Sequence, residues 1–165
     1  MQLKTIANTI TGVYETHLPV RDLNRSIAFY RDKLGLELAT EIPERQIAFF
    51  WVGRREVGML GLWQVGTGPL QMRLHFAFRT EQEALMNACE TLRNSGIETL
   101  DFHGNPTTEP VVIGWAPSLS VYFNDPDGHS LELIHMLDEA PDRDFGIGPL
   151  SAWRARRGKT AGNAA

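Results

Sequence analysis

The two halves of the sequence repeat one pattern of residues. The segment 17–20 precedes a helical pattern that ends before Gly35, and the segment 75–78 precedes one that ends before Gly96. Each of these glycines is followed by an apolar residue and a glutamate. Internal similarity at a period of about 60 residues indicates two copies of one supersecondary unit. The sequence therefore predicts two βαβββ modules.

Hydrophobic periodicity places similar elements in both halves. Apolar residues at helical spacing predict one helix that begins after Asp22 or Asn24 and ends before Gly35, and a second helix over 81–94. Alternating apolar residues predict strands over 12–20, 36–41, 46–52, 57–63, 71–79, 97–101, 110–114, 119–123 and 130–137. The expected fold class is α+β, with the two modules forming a curved mixed sheet cup and the helices on the outside.

The expected domain spans residues 1–141 and contains module 12–65 and module 71–137. Between the modules, residues 66–69 have the Gly, Thr and Pro composition of a linker. Residues 142–165 show no clear hydrophobic period. A flexible C-terminal extension is therefore expected there.

Composition excludes several classes of partner. The formal net charge is −4, whereas nucleic-acid binding favours a basic surface, so no nucleic-acid partner is expected. Cys89 is the single cysteine, which leaves no internal disulfide and fits a reducing compartment. No apolar run approaches the length of a membrane span, so no membrane partner is expected. These features predict a cytoplasmic protein.

A turn near the end of the second half introduces a strand that carries an unexpected carboxylate. The turn 125–128 reads Asp-Pro-Asp-Gly, in which proline presets φ, aspartates bond nearby backbone N–H groups and glycine accepts a positive φ. In the strand that follows, Glu132 lies between Leu131 and Leu133. Alternation along a strand points Glu132 away from the face that these leucines bury.

Three strands place potential metal ligands on the face opposite their apolar residues. These ligands are Glu15 and His17 in the first strand, His75 in the fifth and Glu132 in the last. If helices cover the apolar faces, the four residues line the concave face. Imidazole nitrogen and carboxylate oxygen suit Zn, Ni, Mn or Fe(II), and two histidines with one carboxylate leave positions for substrate or O₂. One divalent metal is the expected cofactor.

Three segments, 17–36, 75–79 and 122–132, resemble the vicinal oxygen chelate superfamily. That superfamily includes glyoxalase I, bleomycin-resistance proteins, fosfomycin-resistance thiol transferases, methylmalonyl-CoA epimerases and extradiol dioxygenases. The resemblance covers residues 12–137. It implies paired βαβββ modules that form a cup around one divalent metal, with His75 and Glu132 among the metal ligands.

The first-strand ligand has two candidates. In many members of the superfamily it lies seven residues before the aspartate that opens the first helix, which here is Asp22 and gives Glu15. The internal repeat instead pairs His17 with His75. His17 is the favoured ligand, and Glu15 is kept as a ligand or general base.

Departures from the family pattern bear on the reaction. Glyoxalase I uses a glutamate of the fourth strand as ligand and base, but the corresponding stretch 59–63 contains no acid. True glyoxalase I activity is not expected unless Glu15 replaces that base. The loop 111–117 lacks the basic residues that hold phosphonate in the fosfomycin enzymes, so a strongly anionic substrate is not expected there. Tyr122 lies ten residues before Glu132, as a tyrosine does in extradiol dioxygenases, and is a candidate acid or oxyanion donor.

The resemblance implies a small-molecule substrate and a homodimer. Aromatic residues and one loop histidine are expected to line the pocket: Phe50, Trp63, Trp115 and His103. The function expected is that of a divalent-metal-dependent glyoxalase-like lyase or isomerase, which chelates adjacent oxygens of a small oxygenated substrate. The alternatives are an Fe(II) extradiol-type dioxygenase and a non-catalytic drug-binding protein of the bleomycin-resistance type.

Overall fold

The computed structural model describes residues 12–65 and 72–162, and the predicted linker 66–69 lies outside them. The chain divides into two compact units, Met1–Leu70 (unit 1) and Gln71–Ala165 (unit 2). Each unit contains one mixed sheet, and this confirms the predicted α+β class. No helix within the described ranges combines the length and the apolarity needed to cross a bilayer.

Unit 1 contains a four-stranded sheet of order β1-β4-β3-β2. The strand β1 runs parallel to β4, and the other neighbours are antiparallel. Its elements in chain order are β1 (Glu15–Val20), α1 (Leu23–Ala28), a π-helical turn (Phe29–Lys33), β2 (Leu38–Ile42), a 3₁₀ turn (Pro43–Arg45), β3 (Ile47–Trp51) and β4 (Met59–Gln64).

The helical segment formed by α1 and the π-helical turn begins and ends where the sequence signals predict. The Asp22 carboxylate accepts a hydrogen bond from the Arg25 backbone N–H at 3.0 Å, so Asp22 rather than Asn24 is the N-cap. Gly35 adopts a φ of 72°, the left-handed conformation that terminates a helix at low cost for glycine. Between these ends the buried face of the helix packs on the sheet, with the Tyr30 ring 5.9 Å from that of Phe50.

Unit 2 contains a five-stranded sheet of order β5-β8-β7-β6-β9. The strand β5 runs parallel to β8, and the other neighbours are antiparallel. Its elements in chain order are β5 (His75–Arg79), α2 (Gln82–Met86), α3 (Ala88–Asn94), β6 (Val111–Ile113), β7 (Ser118–Asn124), β8 (Ser130–Met136), a 3₁₀ turn (Arg143–Phe145), β9 (Ile147–Pro149) and α4 (Leu150–Gly162).

Two predicted elements of unit 2 differ in the structure. The helix predicted over 81–94 is divided at Asn87, whose ψ of −3° departs from helical geometry. The strand predicted over 97–101 is reduced to isolated bridges from Leu100 to Pro106 and Tyr122. Beyond Leu100, the Asp101 carboxylate accepts backbone N–H bonds from His103 and Asn105 at 2.8 Å each, which curls the chain into a loop.

The described part of 142–165, where the sequence predicts a flexible extension, forms regular secondary structure. The strand β9 extends the sheet by pairing with β6, and α4 follows it directly. Trp153 of α4 is 2% exposed, and its ring lies 4.9 Å from that of Phe145. The indole N–H donates to Glu139 at 2.9 Å, and the Arg157 guanidinium lies 4.2 Å from the ring centroid. One buried aromatic residue anchors this segment, and a hydrophobic period over 142–165 is not required.

We expect Trp153→Ala to lower the free energy of unfolding by about 3–5 kcal/mol, because it removes a large buried side chain and leaves a cavity. Urea denaturation followed by circular dichroism measures the change. Arg154→Ala is the matched control, since its exposed side chain makes only a 3.9 Å contact with the Met86 sulfur. Equal stability of the two variants would contradict the anchoring role of Trp153.

Candidate functional site

Unit 1 brings Glu15 and His17 together on β1. The two residues are two positions apart and so share one face of the strand. His17 Nε2 forms a short contact with Glu15 Oε1, and both side chains are about one-third exposed, at 35% and 36%. The ring of His17 is held edge-on by Phe49 and Trp63, with centroids 5.6 and 5.4 Å away. The imidazole is therefore fixed in orientation while its Nε2 faces a carboxylate.

The position of the His17 ring depends on the absence of a side chain at residue 61. Gly61 of β4 lies opposite His17 in the parallel register. A Cβ atom added to Gly61 would lie 2.6 Å from His17 Nδ1 and 2.7 Å from its Cε1, closer than side-chain atoms approach one another. His17 Nδ1 is buried where the ring lies against Gly61, and it has no hydrogen-bond partner in the described part of the chain.

Unit 2 brings His75 and Glu132 together across β5 and β8. His75 Nε2 lies 3.1 Å from Glu132 Oε2, with half of the histidine side chain and 5% of the glutamate side chain exposed. The other carboxylate oxygen, Oε1, is buried and has no hydrogen-bond partner among the described residues. A buried carboxylate oxygen without a partner is costly and indicates a missing donor or cation.

The hydrogen bonds of His75 define which ring nitrogen carries the proton. Its Nδ1 lies 3.1 Å from the Ser130 carbonyl oxygen, which only accepts hydrogen bonds, so Nδ1 is the donor. A neutral His75 then directs the lone pair of Nε2 at Glu132 Oε2. Two lone pairs at this separation need a shared cation, which is either a proton or a metal ion.

A cavity of about 710 Å³ opens beside this second pair. Four residues predicted for the site line it: His75, His103, Tyr122 and Glu132. Its size is that of a small-molecule site. Four further polar residues line it that are not among the predicted site residues: Arg73, Asp101, Asn124 and Ser130. The position of Arg73 could be predicted from the sequence, because it lies two residues before His75 and alternate residues of an extended segment point to the same face.

Tyr122 lies in the wall of the cavity as a hydrogen-bond donor. It is paired with Glu132 in the β7–β8 register, and its ring centroid is 5.9 Å from that of Phe102. Burial, together with the nearby Glu132 carboxylate, raises the pKa of Tyr122 well above its ordinary value. The hydroxyl therefore remains protonated throughout the physiological pH range.

The predicted pocket aromatics have different environments. Phe50 is fully buried against Tyr30 in the core, so the structure does not support its predicted pocket role. Trp63 is 39% exposed and contacts His17, with the Arg45 guanidinium 5.3 Å from its ring centroid. Trp115 is 58% exposed between β6 and β7 and is not among the residues that line the cavity of unit 2.

The four predicted ligands thus form two imidazole–carboxylate pairs, one in each unit. Within residues 12–65 and 72–162 no group of three or more His, Cys, Asp or Glu side chains is arranged to hold a metal ion. The first-strand alternatives, Glu15 and His17, contact each other directly. Two further histidines have structural partners: His129 Nδ1 accepts from the Leu74 N–H at 3.0 Å, and His135 Nδ1 lies 2.9 Å from the Thr80 carbonyl.

Comparison with known proteins agrees with the fold. The model of the Glyoxalase/Bleomycin resistance protein/Dioxygenase superfamily matches residues 9–133. Lactoylglutathione lyase of Salmonella typhimurium is 33% identical over 142 residues, which cover 81% of this chain and 96% of that protein. Metallothiol transferase FosB of Staphylococcus epidermidis is 28% identical over 125 residues, which cover 75% of this chain and 81% of that protein.

Among solved structures, the lactoylglutathione lyase of Agrobacterium tumefaciens is similar at a TM-score of 0.58 and 28% identity, over 76% of this chain and 93% of that one. The chain therefore belongs to the Glyoxalase/Bleomycin resistance protein/Dioxygenase superfamily, as its sequence resemblance predicts. Members of this superfamily typically depend on a divalent metal.

We expect Gly61→Ala to displace the His17 ring, because the new methyl group occupies the space of Nδ1 and Cε1. The NMR signal of the His17 ring should shift, and the free energy of unfolding should fall by about 1–3 kcal/mol. Gly12→Ala is the control, since a Cβ there meets nothing within 4 Å. An unchanged His17 signal in Gly61→Ala would show that the ring does not rest on this glycine.

The raised pKa of Tyr122 gives a second expectation. Since the folded protein holds this proton more tightly than the unfolded chain, the stabilisation is complete below about pH 10 and declines as the pH rises above it. In ¹³C-tyrosine NMR, the signal assigned by Tyr122→Phe should titrate above pH 10. Glu132→Gln should lower the pKa of Tyr122 by removing the neighbouring charge, and no change between the two proteins would contradict this coupling.

Proposed function

We propose that this chain is a divalent-metal-dependent lyase or isomerase of the glyoxalase type, acting on a small substrate with two adjacent oxygens. The observation that carries the proposal is the His75–Glu132 pair in the wall of a substrate-sized cavity. Enzymes among its relatives, a lyase and a thiol transferase, support the same class of function.

The residues of this pair fit a divalent metal. His75 presents a lone pair at Nε2, and Glu132 adds a carboxylate with one unpartnered buried oxygen. Nitrogen and oxygen donors of this kind suit Zn, Ni, Mn or Fe(II). The proposal therefore assigns His75 and Glu132 as ligands. It assigns the first-strand ligand to His17 and keeps Glu15 as a ligand or base.

When bound, such an ion would supply Lewis-acid polarisation of the substrate oxygens. The protonated Tyr122 hydroxyl is suited to donate a hydrogen bond to an oxyanion that develops in the cavity. Glu15 is the candidate general base, because its carboxylate already pairs with an imidazole that accepts or returns a proton.

The reaction need not be that of lactoylglutathione lyase. Where the family resemblance places the glutamate base of the fourth strand, this chain has Gly61, and the His17 ring fills the space beside it. A side chain is therefore sterically excluded at this position. The proposed base is for that reason sought on β1, and the substrate is left as a small oxygenated compound.

Tyr122 favours a second candidate, an Fe(II) extradiol-type dioxygenase. Its ring centroid lies 6.1 Å from that of His75, so a phenolic donor adjoins the proposed ligands. Oxygen consumption with catechol as the probe distinguishes the two reactions, because a lyase or isomerase consumes none. A non-catalytic binding protein is expected to catalyse neither reaction and to carry no stoichiometric metal.

The test is elemental analysis of protein purified without chelators. We expect about one divalent ion per chain in the wild type. The affinity for this ion should be at least tenfold lower in His75→Ala and Glu132→Gln, since each removes a proposed ligand. His17→Ala and Glu15→Ala identify the first-strand ligand by the same measurement. His135→Gln is the control, because its ring is engaged by the Thr80 carbonyl.

Wild-type protein that carries no metal and takes up none of the four candidate ions would overturn the proposal. Equal metal loss in His135→Gln and His75→Ala would also contradict it, since the loss would then reflect general destabilisation.

A further inference from the structure

A cation without an ion-pair partner lines the cavity of unit 2. Arg73 precedes β5 by two residues, and no ion pair among the described residues includes its guanidinium. The acids that line the same cavity are engaged. Glu132 contacts His75, and the Asp101 carboxylate accepts hydrogen bonds from its own loop. Arg73 is therefore a permanent cation of the cavity whose guanidinium forms an ion pair with neither of the carboxylates that line it.

The placement of Arg73 is held by the turn between β7 and β8. The next residue, Leu74, donates its N–H to the buried His129 ring at 3.0 Å and accepts the Ser130 N–H at 2.8 Å. The Arg73 side chain lies over Gly128, with Nε 3.4 Å from the position a Cβ would take. Gly128 also has a φ of 85°, so the turn demands glycine there for a second reason.

We propose that Arg73 binds a carboxylate of the substrate, so that the substrate is a short oxygenated carboxylic acid. This inference extends the proposed function to the substrate class. It rests on the proposed function for which end of the substrate reacts. The guanidinium fork matches a carboxylate and forms strong charge-assisted hydrogen bonds with it.

The spacing limits the length of this substrate. Arg73 and His75 are two positions apart in the chain, so their Cα atoms are at most about 7 Å apart. The anionic group and the oxygens near His75 are therefore separated by a few bonds only. Because 111–117 contains no basic residue, the sequence predicts no strongly anionic substrate there. Arg73 supplies the cation from the start of β5 instead.

Two keto acids of equal length provide the probes. 2-Oxoglutarate and 2-oxopentanoate share the 2-oxo acid end and differ in a distal carboxylate against a methyl group. Isothermal titration calorimetry of both compounds is carried out on the wild type, Arg73→Gln and Arg79→Gln. Arg79 is a matched control, because it is an exposed arginine at the end of β5 that does not line the cavity.

We expect wild-type protein to bind 2-oxoglutarate about tenfold more tightly than 2-oxopentanoate, as one charge-assisted contact provides. This ratio should fall to about one in Arg73→Gln and persist in Arg79→Gln. Equal or undetectable binding of the two compounds to the wild type overturns the inference, as does a ratio that survives in Arg73→Gln or falls equally in both variants.

Metal analysis of the same preparations separates this inference from the proposed function. A bound metal without discrimination between the keto acids supports the proposed function and overturns the role of Arg73. If protein that takes up no metal still discriminates between the keto acids through Arg73, the role of Arg73 is supported and the proposed function is overturned.

Discussion

The hydrogen bond from the Leu74 backbone to the buried His129 ring determines how the site of unit 2 is assembled. It fixes where β5 begins against β8, and the Asp125 carboxylate in turn holds the His129 N–H at 2.8 Å. In the resulting parallel register, Ala77 lies opposite Glu132 and His75 lies opposite Ser130. A slip of one residue would move the His75 side chain to the other face of the sheet. The imidazole–carboxylate pair and the nearby Arg73 therefore depend on one buried polar contact in a turn.

Unit 1 reaches a similar imidazole–carboxylate pair by a different physical route. There both partners lie on one strand, so no register between strands is needed to bring Glu15 and His17 together. The imidazole is instead positioned by the space that Gly61 leaves free of a side chain and by edge contacts with two aromatic rings. The repeat visible in the sequence thus conserves the chemistry of the pair in both units, while the contacts that support each pair are particular to it.

The sequence predicts those features that depend on local pattern. Alternation and helical spacing locate most elements of both units, and Glu132 is recognisable because a carboxylate interrupts a run of leucines. The failures share a cause in tertiary contact. Among its described side chains, helix α4 buries only Leu150 and Trp153 near its start, which leaves no period to detect. In the sequence, a core phenylalanine such as Phe50 cannot be distinguished from a pocket phenylalanine, because the difference lies in its packing against Tyr30. The role of Arg73 likewise depends on the distant Gly128.

Charge balance connects the proposed metal to the proposed anion site. The raised pKa of Tyr122 keeps its hydroxyl neutral, so Glu132 and Asp101 supply the negative charges that line the cavity. A divalent ion held there would balance these two carboxylates, and Arg73 would then leave an excess of positive charge. In a partly desolvated cavity such an excess favours an anionic ligand strongly. A carboxylate-bearing substrate would therefore be attracted by both charges, whereas a neutral substrate would leave Arg73 uncompensated.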